Sequence, residues 1–271
     1  MNLKRILTSI IGLPLVIILI VFGTPQIISF AIMLISIICM YEYFSVIQKV
    51  CKPIKWIGYL STIIVFLVSV FEYNIIQKVI LFEIPVILLI LFLHIILTDM
   101  KTTFKDVAYT FLGIMYITGF IMFLALIVSS NNGKIFLAYA LIISWATDIF
   151  AYSIGRRIGK HHFSKVSPKK SIEGCVAGAV AATICSLIYT FILNNVGVFH
   201  VSGTSYLYIG ILSFILSIIS QIGDFTASSI KRFSDAKDFG SLLPGHGGML
   251  DRIDSLIFIA PFLYMIMSFM A

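Results

Sequence analysis

The sequence predicts an all-α, polytopic integral membrane protein. Of its 271 residues, 60% are hydrophobic and 11% are charged, whereas a soluble domain carries about 25% charged residues. The mean hydropathy is +1.08. The apolar residues form long unbroken runs, unlike the short alternating segments of a membrane β-barrel.

A helix needs about 20 apolar residues to cross a bilayer, and nine segments are candidates. In chain order they cover residues 6–23, 26–47, 56–71, 79–97, 107–128, 135–154, 174–194, 205–227 and 253–270. The first follows Lys4 and Arg5 and resembles a signal peptide, but it has no A-x-A-like cleavage site. We therefore interpret it as a retained helix.

The distribution of Lys and Arg predicts the orientation of these helices. With a cytoplasmic N-terminus, the inner connections hold 17 of the 19 Lys and Arg residues, and Lys78 and Lys134 lie outside. Basic residues are enriched on the cytoplasmic side of membrane proteins, so we expect a multi-pass protein of the cell (inner) membrane. The bilayer is its expected partner. Nucleic acid is not, because no soluble module presents the basic residues.

Two connections, 155–173 and 228–252, are longer than the others and polar. Charges beside a bilayer are costly and usually functional. We therefore predict one transmembrane domain, 1–271. Within it, residues 1–134 would supply lipid-facing scaffold helices, and residues 135–271 would supply the catalytic helices and cytoplasmic loops.

Four aspartates lie at the cytoplasmic ends of predicted helices: Asp148, Asp224, Asp251 and Asp254. The i, i+3 spacing of the last two places both carboxylates on one face of a first helical turn. The positive end of the helix dipole offsets their repulsion only in part, and bound Mg²⁺ would relieve it. Two alternatives stay open: Asp251 could cap the helix, and Asp254 could pair with Arg252 or Lys231.

Two segments have the composition of a phosphate site. LPGHGGM precedes the last helix, and glycine loops at helix N-termini bind phosphate. His246 within it could donate to phosphate, transfer a proton or simply stabilise a turn. SPKKSIE would suit a triphosphate, because a proline stiffens the turn, two lysines supply positive charge and two serines supply hydroxyl groups. A plain basic loop is the alternative. The residues concerned are Ser167, Pro168, Lys169, Lys170, Ser171 and Glu173.

Carboxylates for metal, cations for phosphates and a position at the lipid–cytosol boundary fit phosphoryl or nucleotidyl transfer between a soluble nucleotide and a lipid phosphate. Such reactions are catalysed mainly by positioning and charge neutralisation.

Three motifs resemble those of the phosphatidate cytidylyltransferase (CDP-diacylglycerol synthase) family. The longest is S-x-I-K-R-x4-K-D-x-G-x2-L-P-x-H-G-G-M-x-D-R-I-D, from Ser228 to Asp254. The others are D-I-F-A-Y-x2-G-R-x2-G-K, which begins at Asp148, and S-P-K-K-S-x-E-G, which begins at Ser167. Ser171 stands where threonine is common in the family.

The resemblance implies the reaction of CTP with phosphatidate to give CDP-diacylglycerol and pyrophosphate. It implies Mg²⁺, leaves a second, monovalent cation open, and suggests a homodimer. It also implies site roles. The metal ligands would be Asp224, Asp251 and Asp254, with Asp148 nearby. The phosphates would be neutralised by Lys169, Lys170, Lys231 and Arg232. The loop would be shaped, and the lipid phosphate oriented, by Lys237, Asp238, His246 and Arg252. The nucleotide site would be completed by Ser167, Glu173, Gly247 and Gly248.

Two other functions remain as alternatives. Another CTP-using membrane transferase, such as a polyprenol-type lipid kinase, would transfer the γ-phosphoryl group and release CDP. A transporter would place ionisable groups near the bilayer midplane, often on broken helices, whereas these aspartates map to helix ends.

Overall fold

The computed structural model describes residues 3–71, 76–162, 167, 170–199, 203–245 and 247–270. Its α-helices, in chain order, are α1 (Leu3–Phe22), α2 (Pro25–Ile47), α3 (Lys55–Phe71), α4 (Ile76–Leu97), α5 (Phe104–Ile114), α6 (Phe120–Ser129), α7 (Gly133–Ile158), α8 (Ile172–Asn195), α9 (Gly203–Phe233) and α10 (Leu250–Met270). A π-helical turn, Met115–Gly119, joins α5 to α6. The described residues form two isolated β-bridges and no sheet.

The predicted fold class, all-α and polytopic, is confirmed. Each predicted segment overlaps a helical stretch of the described chain. Six stretches are long and apolar enough to cross a membrane: Pro25–Ile47, Phe104–Ser129, Gly133–Ile158, Ile172–Asn195, Gly203–Phe233 and Leu250–Phe269. Shorter apolar helical stretches cover Gly12–Phe22, Lys55–Phe71 and Leu81–Leu97. The orientation of the termini stays a prediction.

Both polar connections are shorter than predicted. Helix α7 continues to Ile158 and α9 to Phe233, and α10 begins at Leu250. The expected loops at 155–158 and 228–233 are therefore wrong. Their polar residues form the last turns of α7 and α9, where basic side chains interact favourably with the negative end of the helix dipole. Hydropathy predicts where an apolar stretch ends, whereas these two helices continue into the polar residues that follow it.

The chain divides into two compact units. One comprises Met1–Lys134 and Lys231–Ile253, and the other comprises Ile135–Ile230 and Asp254–Ala271. The polar segment after α9 groups with the N-terminal helices, so these helices contribute directly to the motif-bearing part of the chain.

Close helix packing in the first unit depends on small residues beside aromatic ones. A Cβ at Gly58 of α3 would lie 2.6 Å from the ring of Phe44 on α2. The Tyr43 hydroxyl donates to the carbonyl of Tyr109 at 2.9 Å. Tyr43 and Phe44 are completely buried, so this face of α2 lies in the core of the unit.

The second unit joins its helices through small and hydroxyl residues. Thr147 of α7 and Ser217 of α9 are hydrogen-bonded at 2.6 Å. A Cβ at Gly174 would lie 2.6 Å from the carbonyl oxygen of Ala151, and one at Gly178 would lie 2.8 Å from that of Thr147. Small residues allow such close backbone approach between membrane helices. Gly174 and Gly178 of α8 are thus used for packing within the chain.

We predict that Gly223→Ala destabilises the protein. The added Cβ would lie 2.6 Å from the backbone oxygen of Asp254 and 3.0 Å from the ring of Phe258. A backbone atom cannot rotate away, and overpacking of this kind costs about 1–3 kcal/mol, which exceeds the gain of up to about 1 kcal/mol in helix propensity.

The measurement is the thermal midpoint of the detergent-solubilised protein. Gly210→Ala on the same helix is the matched control, because its nearest neighbours would lie 3.8 Å away in ordinary contact. A Gly223→Ala midpoint equal to that of the control would contradict the prediction.

Candidate functional site

The first unit contains a buried ion pair between two of the predicted site residues. Lys231 lies in the last turn of α9, and Asp251 lies in the first turn of α10. The Lys231 Nζ is 2.6 Å from Oδ1 of Asp251, and the two side chains are only 12% and 3% exposed. The other oxygen, Oδ2, accepts hydrogen bonds from the N–H groups of Phe239 at 2.9 Å and Gly248 at 3.0 Å. Asp251 therefore pairs with Lys231 and holds the backbone of the preceding segment, so both of its oxygens are engaged.

The glycine loop folds closely around this carboxylate. Gly247 has a φ of +87°, which L-residues with a side chain rarely adopt, and a Cβ there would lie 3.1 Å from Oδ2 of Asp251. The Leu243 N–H donates to the Gly247 carbonyl at 3.0 Å. His246 lies outside the described residues.

A residue that sequence reasoning missed completes this region. Glu42, on α2, accepts hydrogen bonds from the N–H groups of Met249 at 2.9 Å and Leu250 at 2.8 Å. The N–H groups of three successive residues, Gly248 to Leu250, thus donate to protein carboxylates, where the sequence suggested a bound phosphate. Glu42 is the one charged residue in the sequence of α2, and an ionisable residue in a membrane helix is a signal of function.

The second unit brings together another predicted lysine and aspartate. Lys170 forms an ion pair with Asp224 of α9, and each side chain is about a quarter exposed. The Lys170 Nζ also lies 4.2 Å from the ring centroid of Phe225, a favourable cation–π distance. Ser167, which is half-buried, accepts a hydrogen bond at its carbonyl from the Lys170 N–H at 3.1 Å. Pro168 and Lys169 lie outside the described residues.

Glu173 holds the connection between α7 and α8. Its carboxylate accepts hydrogen bonds from the N–H groups of Lys160 and His161, each at 3.2 Å, and lies 2.6 Å from Nδ1 of His161. At the start of the same helix, the Ser171 hydroxyl accepts the Gly174 N–H at 3.2 Å. Glu173 and Ser171 thus fix the described ends of this connection, one of which lies next to Lys170.

Three aspartates of the second unit come from three helices that meet near the start of α10. The Ser255 hydroxyl donates to Asp148 of α7 at 3.4 Å, and its N–H donates to Asp254 at 2.8 Å. Gly223, next to Asp224, closely approaches the backbone of Asp254. Asp148 is exposed, whereas Asp254 is buried.

Within the described part of the chain, no group of three or more His, Cys, Asp or Glu residues is arranged to hold a metal ion by itself. The donor chemistry nevertheless fits Mg²⁺, which is usually bound by one or two carboxylates together with water and substrate phosphates rather than by an all-protein cage. The exposed Asp148 and part-exposed Asp224 present oxygens of the required kind to solvent.

The remaining predicted residues lie at the surface, in the last turn of α9, the first turn of α10 and the segment between them. Arg232, Lys237, Asp238 and Arg252 are all exposed. Three of these four are cationic, so the outer face of the segment between α9 and α10 is accessible to an anionic solute, while its inner face is held by Asp251 and Glu42.

The model of the cytidylyltransferase family matches residues 3–270. The chain belongs to this family. The match covers nearly the whole chain, so the resemblance based on three motifs is confirmed at the level of the family and extends to the N-terminal helices that carry Glu42.

Relatives within the family include phosphatidate cytidylyltransferases of several bacteria. That of Bacillus subtilis (strain 168) is 34% identical over 182 residues, which is 66% of this chain and 65% of the relative. That of Staphylococcus haemolyticus is 34% identical, and that of Staphylococcus saprophyticus is 37% identical; each match covers 64% of both chains. The matched region thus spans slightly less than two thirds of the length of these relatives.

Proposed function

We propose that this protein transfers the cytidylyl group of CTP to phosphatidate, which gives CDP-diacylglycerol and pyrophosphate in phospholipid biosynthesis. The observation that carries the proposal is the buried Lys231–Asp251 pair at the start of α10. It lies within the longest family motif, in a chain of the cytidylyltransferase family whose relatives are named phosphatidate cytidylyltransferases.

The chemistry requires charge neutralisation more than proton transfer. An oxygen of the phosphatidate phosphate attacks the α-phosphorus of CTP in line, a new P–O bond forms, and the bond to the β,γ-pyrophosphate breaks. The attacking oxygen is already anionic, so no strong general base is needed. Preorganised cations supply most of the catalysis in such reactions, and we assign this role to Lys170, Lys231 and Arg232.

The two ion pairs suit this role because they hold their lysines in fixed positions. In the first pair, two backbone N–H groups hold Asp251, which in turn holds Lys231. In the second pair, Lys170 lies beside the end of the connection that Glu173 and Ser171 fix. Positioned cations avoid the cost of reorganisation when charge develops. Arg232 and Arg252 are exposed beside the first pair in sequence, and we propose that they meet the phosphates of CTP or of the lipid.

Asp251, one of the predicted metal ligands, already engages both oxygens with Lys231 and two backbone N–H groups, and Asp254, another, is buried. We propose Mg²⁺ as the cofactor, held by Asp148 and Asp224 together with phosphate oxygens of CTP. When bound, it supplies positive charge to the triphosphate and to the leaving pyrophosphate. We also propose that the site lies on the cytoplasmic side of the cell membrane, where CTP is available, and that the protein is a homodimer.

The experiment that tests the function uses the full chain in liposomes. We expect CDP-diacylglycerol to form from CTP and phosphatidate in the presence of Mg²⁺, and formation to stop when EDTA removes the ion. Diacylglycerol in place of phosphatidate is the matched control, because it lacks the attacking phosphate. Lipid product formed with diacylglycerol but not with phosphatidate would refute the proposal.

A further inference from the structure

We propose that Glu42 is a positioning residue for the reaction. It holds the N-terminus of α10 and the preceding glycine loop, and through them it fixes the Asp251–Lys231 pair. This inference rests on the proposed function and adds to it a residue from the N-terminal helices, outside all three family motifs.

The contacts of Glu42 are specific. Its two carboxylate oxygens accept separate hydrogen bonds from successive backbone N–H groups: Oε1 from Met249 and Oε2 from Leu250. The residue is 2% exposed and lies 207 positions before Met249 in the chain. The first N–H groups of a helix lack partners within it, so Glu42 supplies acceptors that the local sequence does not.

The backbone around Glu42 is shaped to admit its carboxylate. A Cβ at Gly248 would lie 2.5 Å from Oε2, and a Cβ at Gly240 would lie 2.7 Å from Oε1. Two glycines of the longest motif are thus required for the approach of this side chain. Gly247, which precedes Gly248, likewise allows the carboxylate of Asp251 to lie close to the backbone.

The position of Glu42 also affects where a substrate phosphate can bind. A helix N-terminus attracts anions, but at the start of α10 the N–H groups of Met249 and Leu250 already donate to Glu42. The N–H group of Gly248, just before the helix, donates to Asp251. The nucleotide phosphates are therefore directed to the lysine and arginine side chains of the site. Loss of Glu42 would leave these two N–H donors, of which that of Leu250 is buried, without their acceptor just before Asp251.

The first test compares Glu42→Gln with wild type in the CDP-diacylglycerol assay. Gln has nearly the same shape, but its amide group would face one of the two N–H donors. Because small misplacements of catalytic groups cost up to about 100-fold, we expect kcat to fall about 10- to 100-fold, with KM for CTP nearly unchanged.

The matched control is Glu83→Gln on α4. Glu83 is another glutamate of the first unit, and it accepts a hydrogen bond from the Ser61 hydroxyl at 2.5 Å, away from the motif segments. We expect wild-type kcat in this variant. A Glu42→Gln enzyme with wild-type kcat, or one whose defect lies in KM alone, would overturn the positioning role.

The second test uses wild-type protein only, so it does not depend on whether a variant folds. In wild-type protein, hydrogen–deuterium exchange of peptides covering residues 247–252 should be as slow as in the interior of α10, because Glu42 and Asp251 hold the amides. Rapid exchange there would overturn the inference. A wild-type protein that shows slow exchange but makes no CDP-diacylglycerol would refute the proposed function and leave the anchoring of α10 standing, so the two failures are distinguishable.

Discussion

Replacement of Asp251 by Asn should reduce CDP-diacylglycerol formation by at least about 100-fold, the typical loss when a preorganised electrostatic contact is removed. The Asn side chain keeps the size of Asp but loses its charge, so Lys231 is no longer held by an ion pair. One of the two acceptor oxygens is also replaced by an amide donor. The measurement is kcat/KM for CTP in liposomes, with protein quantity normalised.

The same change should lower stability, because Asp251 is buried. Removal of one partner from a buried ion pair costs about 3–5 kcal/mol when the other charge is left uncompensated. Lys231→Met separates the two effects. The double variant with Asp251→Asn should be more stable than Asp251→Asn alone, since no buried charge is then left unpaired, yet it should remain inactive. Near-normal activity of Asp251→Asn would show that its charge is not needed for the reaction.

Replacement of Asp224 by Asn should also reduce activity by about 100-fold, but with little effect on stability. Its ion pair with Lys170 is about a quarter exposed, so solvent can compensate the charge of Lys170 better than it can that of the more deeply buried Lys231. The expected result is therefore a folded protein with an unchanged thermal midpoint and a large loss of kcat/KM.

The matched control for Asp224→Asn is Asp235→Asn. Asp235 is an exposed turn residue with a φ of 48°, a conformation that Asn also tolerates. We expect wild-type activity from this control. An Asp224→Asn enzyme as active as the Asp235→Asn enzyme would exclude Asp224 from the reaction.

Most of the fold could be predicted because lipid exposure imposes one strong rule. Every backbone group within a bilayer must be satisfied internally, so long apolar runs form helices. The rule fails where a helix leaves the apolar region, as at residues 228–233 of α9. There the last turn carries Lys231 and Arg232, and hydropathy alone indicated a loop.

The candidate site could be predicted as a set of residues but not as a set of contacts. The motifs contained Asp251, Lys231, Asp224 and Lys170, yet nothing in their spacing indicated which lysine pairs with which aspartate. Such pairing depends on how the helices pack, which is a tertiary property. The phosphate expected at the glycine loop depends on tertiary structure in the same way. The N–H groups of this loop donate instead to side-chain carboxylates, one of which comes from α2.

Glu42 is a candidate site residue that the sequence alone could have revealed. Its helix was interpreted as lipid-facing scaffold on the basis of hydropathy, although one carboxylate in an apolar helix is costly and usually functional. That rule, applied to each isolated charge and not only to clusters of charge, would have selected Glu42 as a candidate.

The most direct test of the central claim follows the phosphorus atoms of CTP. Wild-type protein is incubated with phosphatidate, Mg²⁺ and CTP labelled at either the α- or the γ-phosphorus. Cytidylyl transfer predicts that the α-label enters the lipid and the γ-label appears in pyrophosphate. Transfer of the γ-label to lipid, with release of CDP, would contradict the account and identify a lipid kinase.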